Sequence, residues 1–252
     1  MISFAGQTAL VTGGSRGIGR ATALLLARAG ADVGITYHSR TAEAEAVAGE
    51  IRALGRRAFH EGGNHEDPAV VGRIFERCRA EFGALDCFVA NHGIWPVEDV
   101  PLSRMDGQRW RNTLAVNLDG VFLTTRAALG MMRPGGRVVL VSSTAGQRGE
   151  SFHADYAATK GALISLTKSL CVECAPDITV NCVAPGWVDT EMSVPAFDAA
   201  PDARQRIANT IPLRRIPPAE DIAGPILFLL SPLARHITGE VLNVNGGSVL
   251  CG

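Results

Sequence analysis

Short runs of aliphatic and β-branched residues alternate along the chain with longer stretches of helical periodicity. The runs are Thr8 to Thr12, Val33 to Tyr37, Ala58 to Glu61, Leu85 to Asn91, Val138 to Ser142, Thr179 to Ala184 and Val241 to Val244. Periodic stretches begin near Gly17, Ala42, Asp67, Met105, Asp155 and Ala219. Such alternation is what a parallel sheet covered on both sides by helices requires. The pattern therefore predicts an α/β fold, a doubly wound parallel sheet of about seven strands with helices on both faces. No internal repeat, linker or low-complexity segment divides it, so residues 1–252 read as a single domain. The rhythm breaks over 187–218, a segment rich in Pro, Ala and charge. It is too long for an ordinary connection and is expected to be a substrate lid.

With 252 residues, 46% of them hydrophobic and 19% charged, the chain can bury a full core, which excludes a disordered chain or a small stapled scaffold. A net charge of -1 offers no broad basic field, so no nucleic acid partner is expected. There is no run of about 20 apolar residues, and the start of the chain lacks the charged and apolar regions of a signal peptide. The expectation is a soluble cytoplasmic protein with no membrane partner. The 6 cysteines are scattered through apolar context. Only Cys171 and Cys174 form a CxxC, with no second pair and no neighbouring histidine, and the histidines show no HExxH, so no metal site is expected.

Ligands of open parallel sheets bind beyond the carboxyl ends of the strands. The first strand runs into Thr12-Gly13-Gly14-Ser15-Arg16-Gly17-Ile18-Gly19 and then directly into an apolar helix. Glycines there let backbone amides and a helix start approach a phosphate. The spacing is not G-x-G-x-x-G, and the same turn would serve equally well as a tight connection. Further on, Val138 to Ser142 leads into Ser143, and Tyr156 is followed four positions later by Lys160, which puts phenol and ammonium on one helix face. Of 24 basic residues only Lys160 and Lys168 are lysines, so a lysine at this position points to a role that needs a compact ammonium.

Together these residues resemble the short-chain dehydrogenase/reductase family over essentially the whole chain. Thr12, Gly13, Gly17 and Gly19 look like its TGxxxGxG turn, and Ala90-Asn91-His92-Gly93 resembles its NNAG element. Asn117 falls on its catalytic asparagine, Ser143 stands 13 residues before Tyr156 as its catalytic serine does, and Tyr156 and Lys160 match YxxxK. Pro185-Gly186-Trp187-Val188-Asp189-Thr190 matches the cofactor-clasping PG motif. The resemblance implies a Rossmann fold with catalytic Asn117, Ser143, Tyr156 and Lys160. It implies cofactor contacts at Gly13, Ser15, Arg16, Gly17, Ile18 and Gly19, at Tyr37, His38, Ser39 and Arg40, at Asn64, Asn91 and Gly93, at Tyr156 and Lys160, and at Pro185, Gly186, Val188 and Thr190. Departures are Ala90 and His92 within NNAG, Asn64 where many members carry Asp, and Pro225 inside a helix usually free of proline.

A ketone that accepts hydride develops alkoxide charge and needs a placed proton donor. Tyr156 is that donor for reduction and, ionised, the base for oxidation. Lowering a phenol by three pKa units takes roughly 4 kcal/mol, about what an ammonium at 4 Å supplies, so Lys160 is expected to depress the pKa of Tyr156. The family resemblance adds that Lys160 holds the nicotinamide ribose, Ser143 bonds the substrate oxygen and Asn117 holds a relay water. Thr36-Tyr37-His38-Ser39-Arg40 contains no acid to pair with a ribose, while Arg16 and Arg40 suit a 2′-phosphate, which favours NADP(H) over NAD(H).

The substrate is expected to be a small carbonyl or alcohol, acyl-carrier-bound in one reading, gripped by Trp95, His153, Trp187 and the lid. Arg214-Arg215-Ile216 and the segment from Thr238 to Leu242 resemble 3-oxoacyl-acyl-carrier-protein reductases and their broad-specificity carbonyl reductase kin, a likeness shared with sugar, steroid and quinone reductases. A catalytically idle dinucleotide-binding sensor or scaffold is the alternative of another class, and the intact set Asn117, Ser143, Tyr156 and Lys160 favours the enzyme. The stretch from Asp155 to Ala175 is apolar around more of its circumference than one buried face needs. That predicts a subunit contact, and the family resemblance implies a homodimer or homotetramer built on this helix.

Overall fold

The computed structural model describes residues 2–250, so Cys251, counted among the cysteines above, lies outside the described residues. Its centre is a sheet of β1 (Thr8–Val11), β2 (Asp32–Tyr37), β3 (Ala58–Gly62), β4 (Leu85–Ala90), β5 (Met132–Val141), β6 (Ile178–Pro185) and β7 (Val241–Val244). The strands lie in the order β3-β2-β1-β4-β5-β6-β7, every neighbouring pair parallel. The expected strands are all present. β5 starts earlier than the apolar run that announced it, because Met132 pairs with Leu85 across a register shift before the regular ladder begins at Cys87 and Arg137.

The helices are α1 (Gly17–Arg28), α2 (Thr41–Ala53), α3 (Pro68–Phe82), α4 (Gly107–Leu114), α5 (Gly120–Leu129), α6 (Thr144–Arg148), α7 (Ala154–Glu173), α8 (Val194–Phe197), α9 (Ala203–Thr210) and α10 (Glu220–Leu229). Two cores lie on opposite faces of the sheet. One packs Leu26 of α1, Ile51 of α2 and Ile226 of α10 against β1 and β2; the other packs Ile74 of α3, Val121 of α5 and Leu163 of α7 against β4 and β5. Strands covered on both faces must be apolar at successive positions, and all four residues of β1 are buried.

Three local features position the site. The helical stretch expected from Met105 is not continuous: a π-helical turn, Ala115–Asp119, lies between α4 and α5 and carries Asn117. α4 is tied to α7 by Asp155, fully buried, whose Oδ2 accepts from Arg109 Nε at 3.1 Å and from Thr113 Oγ1 at 2.8 Å. The segment 187–218 is not a bare loop, since it contains α8 and α9. Pro225 does not end α10; the burial of Ile222, Ala223, Ile226, Leu227 and Leu229 outweighs the roughly 3 kcal/mol of an interior proline.

Candidate active site

β1 is flanked by β2 on one side and β4 on the other, so the winding reverses there and a crevice opens beyond the strand ends. It is occupied by a cavity of about 570 Å³, within the usual range for a ligand site.

At the near end, Gly13 and Gly17 take φ of +66° and +51°, a region that disfavours side chains. A Cβ on Gly13 would lie 3.0 Å from the backbone of His92, so glycine keeps the turn open toward the cavity. Gly13, Ser15, Arg16, Gly17 and Ile18 line it; Gly19 does not. A Cβ on Gly19 would stand 2.2 Å from the Gly13 carbonyl, so glycine there lets α1 pack against the turn. Tyr37, His38, Ser39 and Arg40 line the same cavity from the end of β2, with Asn64, Asn91 and Gly93, and with Pro185, Gly186, Val188 and Thr190 after β6. Asn91 is fixed by its Nδ2, which donates to the Thr12 carbonyl at 2.9 Å.

Ser143 is the N-cap of α6, where its Oγ accepts from Ala145 N at 3.1 Å. The hydroxyl of its neighbour Ser142 is buried and donates to the Lys160 carbonyl at 2.7 Å. Tyr156 and Lys160 stand one turn apart on α7, both buried, with Lys160 Nζ 5.7 Å from the phenol ring centroid and donating to the Val141 carbonyl at 2.9 Å. Ser143, Tyr156 and Lys160 all line the cavity.

The electrostatics correct one expectation. Burial pushes the Tyr156 phenol up to about 12, with the Ser143 hydroxyl pulling it down and Glu150 adding to the rise. Burial also brings the Lys160 ammonium down to about 8. In this state the phenol is a neutral proton donor, and desolvation exceeds any depression by Lys160.

Asn117 differs too. Its Oδ1 accepts from Ile94 N at 2.7 Å, and its Nδ2 donates to the Ile94 carbonyl at 2.8 Å and reaches Thr159 Oγ1 at 3.4 Å. It is buried and is not among the cavity-lining residues, and these bonds make its amide a brace for the loop after β4. His92 packs its ring on His65, centroids 4.3 Å apart, with Nδ1 2.8 Å from Thr12 Oγ1. Burial holds both imidazoles below their ordinary pKa, His65 at about 4.

At the far end of the cavity Trp95 and Trp187 form walls, but the expected contact from His153 is corrected: that imidazole stacks behind Trp95, centroids 4.6 Å apart, outside the lining. The sequence reading missed Glu150, Arg148, Ile94 and His65, which line the cavity, while Met192 lies in the segment expected to be a lid. None lies in a motif; they are brought in by the loops that follow β3 and β4 and by the end of α6 and the turn after it.

A glycine turn at the switch point of a parallel sheet, with a phenol facing the same crevice, is the layout of an oxidoreductase that uses a nicotinamide dinucleotide. A family model described as Enoyl-(Acyl carrier protein) reductase matches residues 13–248. A 3-oxoacyl-[acyl-carrier-protein] reductase of Escherichia coli (strain K12) is 41% identical over 249 residues, covering 98% of each chain. A short-chain dehydrogenase of Burkholderia cenocepacia, solved in complex with NADP, is 37% identical with a TM-score of 0.89, over 97% of this chain and 98% of that one. A glucose/ribitol dehydrogenase of the short-chain type from Brucella melitensis is 32% identical with a TM-score of 0.91, over 99% of each. The chain belongs to the short-chain dehydrogenase/reductase family and is an oxidoreductase acting on CH–OH and C=O groups.

Proposed function

We propose that the protein reduces a ketone to a secondary alcohol, or runs the reverse reaction, with NADP(H), in the manner of 3-oxoacyl-acyl-carrier-protein reductases. The observation that carries this is the placing of two hydroxyls, Ser143 and Tyr156, on the cavity that the glycine turn opens into. Two oxygens that can donate toward one point suit a carbonyl oxygen better than a carbon–carbon double bond.

The residues fit a dinucleotide. Gly13, Ser15, Arg16, Gly17 and Ile18 would hold its pyrophosphate at the start of α1, Asn64 and Asn91 its adenosine half, and Gly93, Pro185, Gly186, Val188 and Thr190 its nicotinamide half. When bound, that group supplies the hydride, which goes to the carbonyl carbon. The chain supplies the rest. Ser143 Oγ accepts from Ala145 N, which leaves its proton to the side of the Tyr156 oxygen, where it can turn to the substrate oxygen. Tyr156, neutral in its buried setting, gives its proton to that oxygen as the alkoxide forms. Lys160 offers a compact ammonium from the next turn, aimed by its bond to Val141 and able to turn to a ribose hydroxyl. Asn117 keeps the loop after β4 in place.

The segment 187–218 closes the substrate end as a lid, and assembly as an even-numbered homo-oligomer through α7 completes the reading. Five free cysteines among the described residues, including buried Cys78, Cys87 and Cys182, accord with a reducing compartment such as the cytoplasm. A broader carbonyl reductase shares every residue named here and differs only in the carbonyl compound. The test is Tyr156→Phe, which is expected to abolish NADPH-dependent ketone turnover while cofactor binding stays within threefold. Retention of a tenth of wild-type activity would refute the mechanism.

A further inference from the structure

The substrate end of the cavity holds an anion that the proton chemistry does not use. Glu150, in the turn between α6 and α7, lines the cavity, and its Oε1 accepts from the indole nitrogen of Trp95 at 3.3 Å. Trp187 lines the same space, the two indoles standing in a T-shaped pair with centroids 6.0 Å apart at 80°. Both indoles are braced from behind, Trp95 by the stacked ring of His153 and Trp187 by Phe197 at 5.8 Å. Two fixed aromatic rings nearly at right angles, joined to a half-buried carboxylate, are the elements of a cation-binding cage. Glu150 also raises the pKa of Tyr156, so the two groups share one electrostatic environment.

We propose that the ketones this site prefers carry a quaternary or alkylated ammonium group, held by Glu150 against Trp95 and Trp187 while the carbonyl meets Ser143 and Tyr156. This rests on the reading of the site as a ketone reductase and names the substrate class within it. The groups that face the carboxylate are the His153 imidazole, the exposed Arg148 at the end of α6 and the exposed Asp99 carboxylate. Arg148 is exposed, so water screens its charge, and it has no hydrogen bond to Glu150.

The test uses a methyl ketone bearing a trimethylammonium group and its neutral tert-butyl isostere, each with NADPH and the full-length protein. The cationic ketone is expected to show at least about tenfold higher kcat/KM, carried mainly by KM, and Glu150→Gln is expected to cut that ratio to threefold or less. Burial raises the pKa of Glu150, so the preference should fade as pH is lowered through a value above the usual carboxylate range, the ratio cancelling the dependence on Tyr156 that both ketones share. Equal or better turnover of the neutral isostere, or a ratio unchanged in Glu150→Gln, overturns the proposal while the reductase reading stands. Failure to reduce either ketone, or a 3-oxoacyl thioester run beside them, overturns both.

Discussion

Arg40 Nη1 lies 2.8 Å from Glu43 Oε1, so the cation expected to meet a 2′-phosphate is held by a carboxylate three residues on. Both side chains are about half exposed, at 46% and 45%, and water screens the pair. A charge-assisted contact to phosphate is worth roughly 1.5 to 3 kcal/mol, enough to draw Arg40 away and to give about tenfold discrimination from a single contact. kcat/KM with NADPH is therefore expected to exceed that with NADH by at least about tenfold at low salt, and less as salt rises. Arg16→Ala and Arg40→Ala should each weaken NADPH far more than NADH, and Glu43→Gln should tighten NADPH about two- to fivefold. Fluorescence titration with both cofactors checks this, and a wild-type preference for NADH would overturn it.

Lys160 joins function to a cost in stability. Burial takes its pKa from 10.5 to about 8, so between those values the unfolded chain holds a proton that the folded protein has lost, and the contribution of this group to stability rises with pH across that window. Below about pH 8 the folded protein carries the buried charge, at roughly 3 kcal/mol, offset in part by about 1 kcal/mol from the bond to Val141. Lys160→Met should therefore raise Tm by a few degrees at pH 7 and by progressively less as pH approaches 10.5, while turnover falls at least a hundredfold. Lys160→Arg should not restore turnover, because a planar fork does not replace a compact ammonium. A Lys160→Met protein less stable than wild type at pH 7 would contradict the argument.

The parts of the fold that are legible in the chain are those written in local periodicity and turn chemistry. Buried strands read as apolar runs, and the glycine turn reads as a gap because Gly13 and Gly17 need positive φ. What is not legible is which neighbour a side chain meets across the fold. Asn117 reaches Ile94 and Trp95 reaches Glu150, contacts 23 and 55 residues apart in the chain, and no spacing rule connects them. His153 reads as a substrate contact because its type suits one, yet it stacks behind Trp95. The balance between burial and charge is equally invisible: an ammonium four residues from a phenol predicts a lowered pKa, and burial reverses the sign. The Arg40–Glu43 pair was within reach of the i,i+3 rule, since both residues are local.

The pair Asp155 and Arg109 lies next to Tyr156 in the chain and fastens α4 to α7. Burial raises the pKa of Asp155, but the Arg109 and Thr113 hydrogen bonds more than offset this, so the net shift is downward. A carboxyl lowered in the folded state contributes stability above its unfolded pKa and loses it as pH falls through the folded value, below the ordinary 3.8 of an aspartate. Arg109→Met leaves a buried carboxylate without its cation and should cost about 3–5 kcal/mol in urea unfolding. The double variant Arg109→Met, Asp155→Asn should recover more than half of that, because no charge is left behind. Additive losses would show that the two side chains act separately.

α7 turns Ala158, Ser165, Lys168, Ser169 and Val172 to solvent, with Gly161 and Ala162 half-buried beside them. That face is nearly free of bulk and carries only Lys168 and, at its end, Glu173 as charges, and Val172 leaves 76% of its surface in water, so it offers room for a second helix. In a twofold contact a residue near the middle of the helix meets its own copy, which for this face is Ser165. The wild-type protein is therefore expected to sediment as an even-numbered oligomer at micromolar concentration. Ser165→Arg would set two guanidinium groups against each other across the axis and should shift the protein to a smaller species with unchanged far-UV circular dichroism. A wild-type monomer would refute the assembly, and a Ser165→Arg protein of unchanged mass would show that the subunits meet through another face.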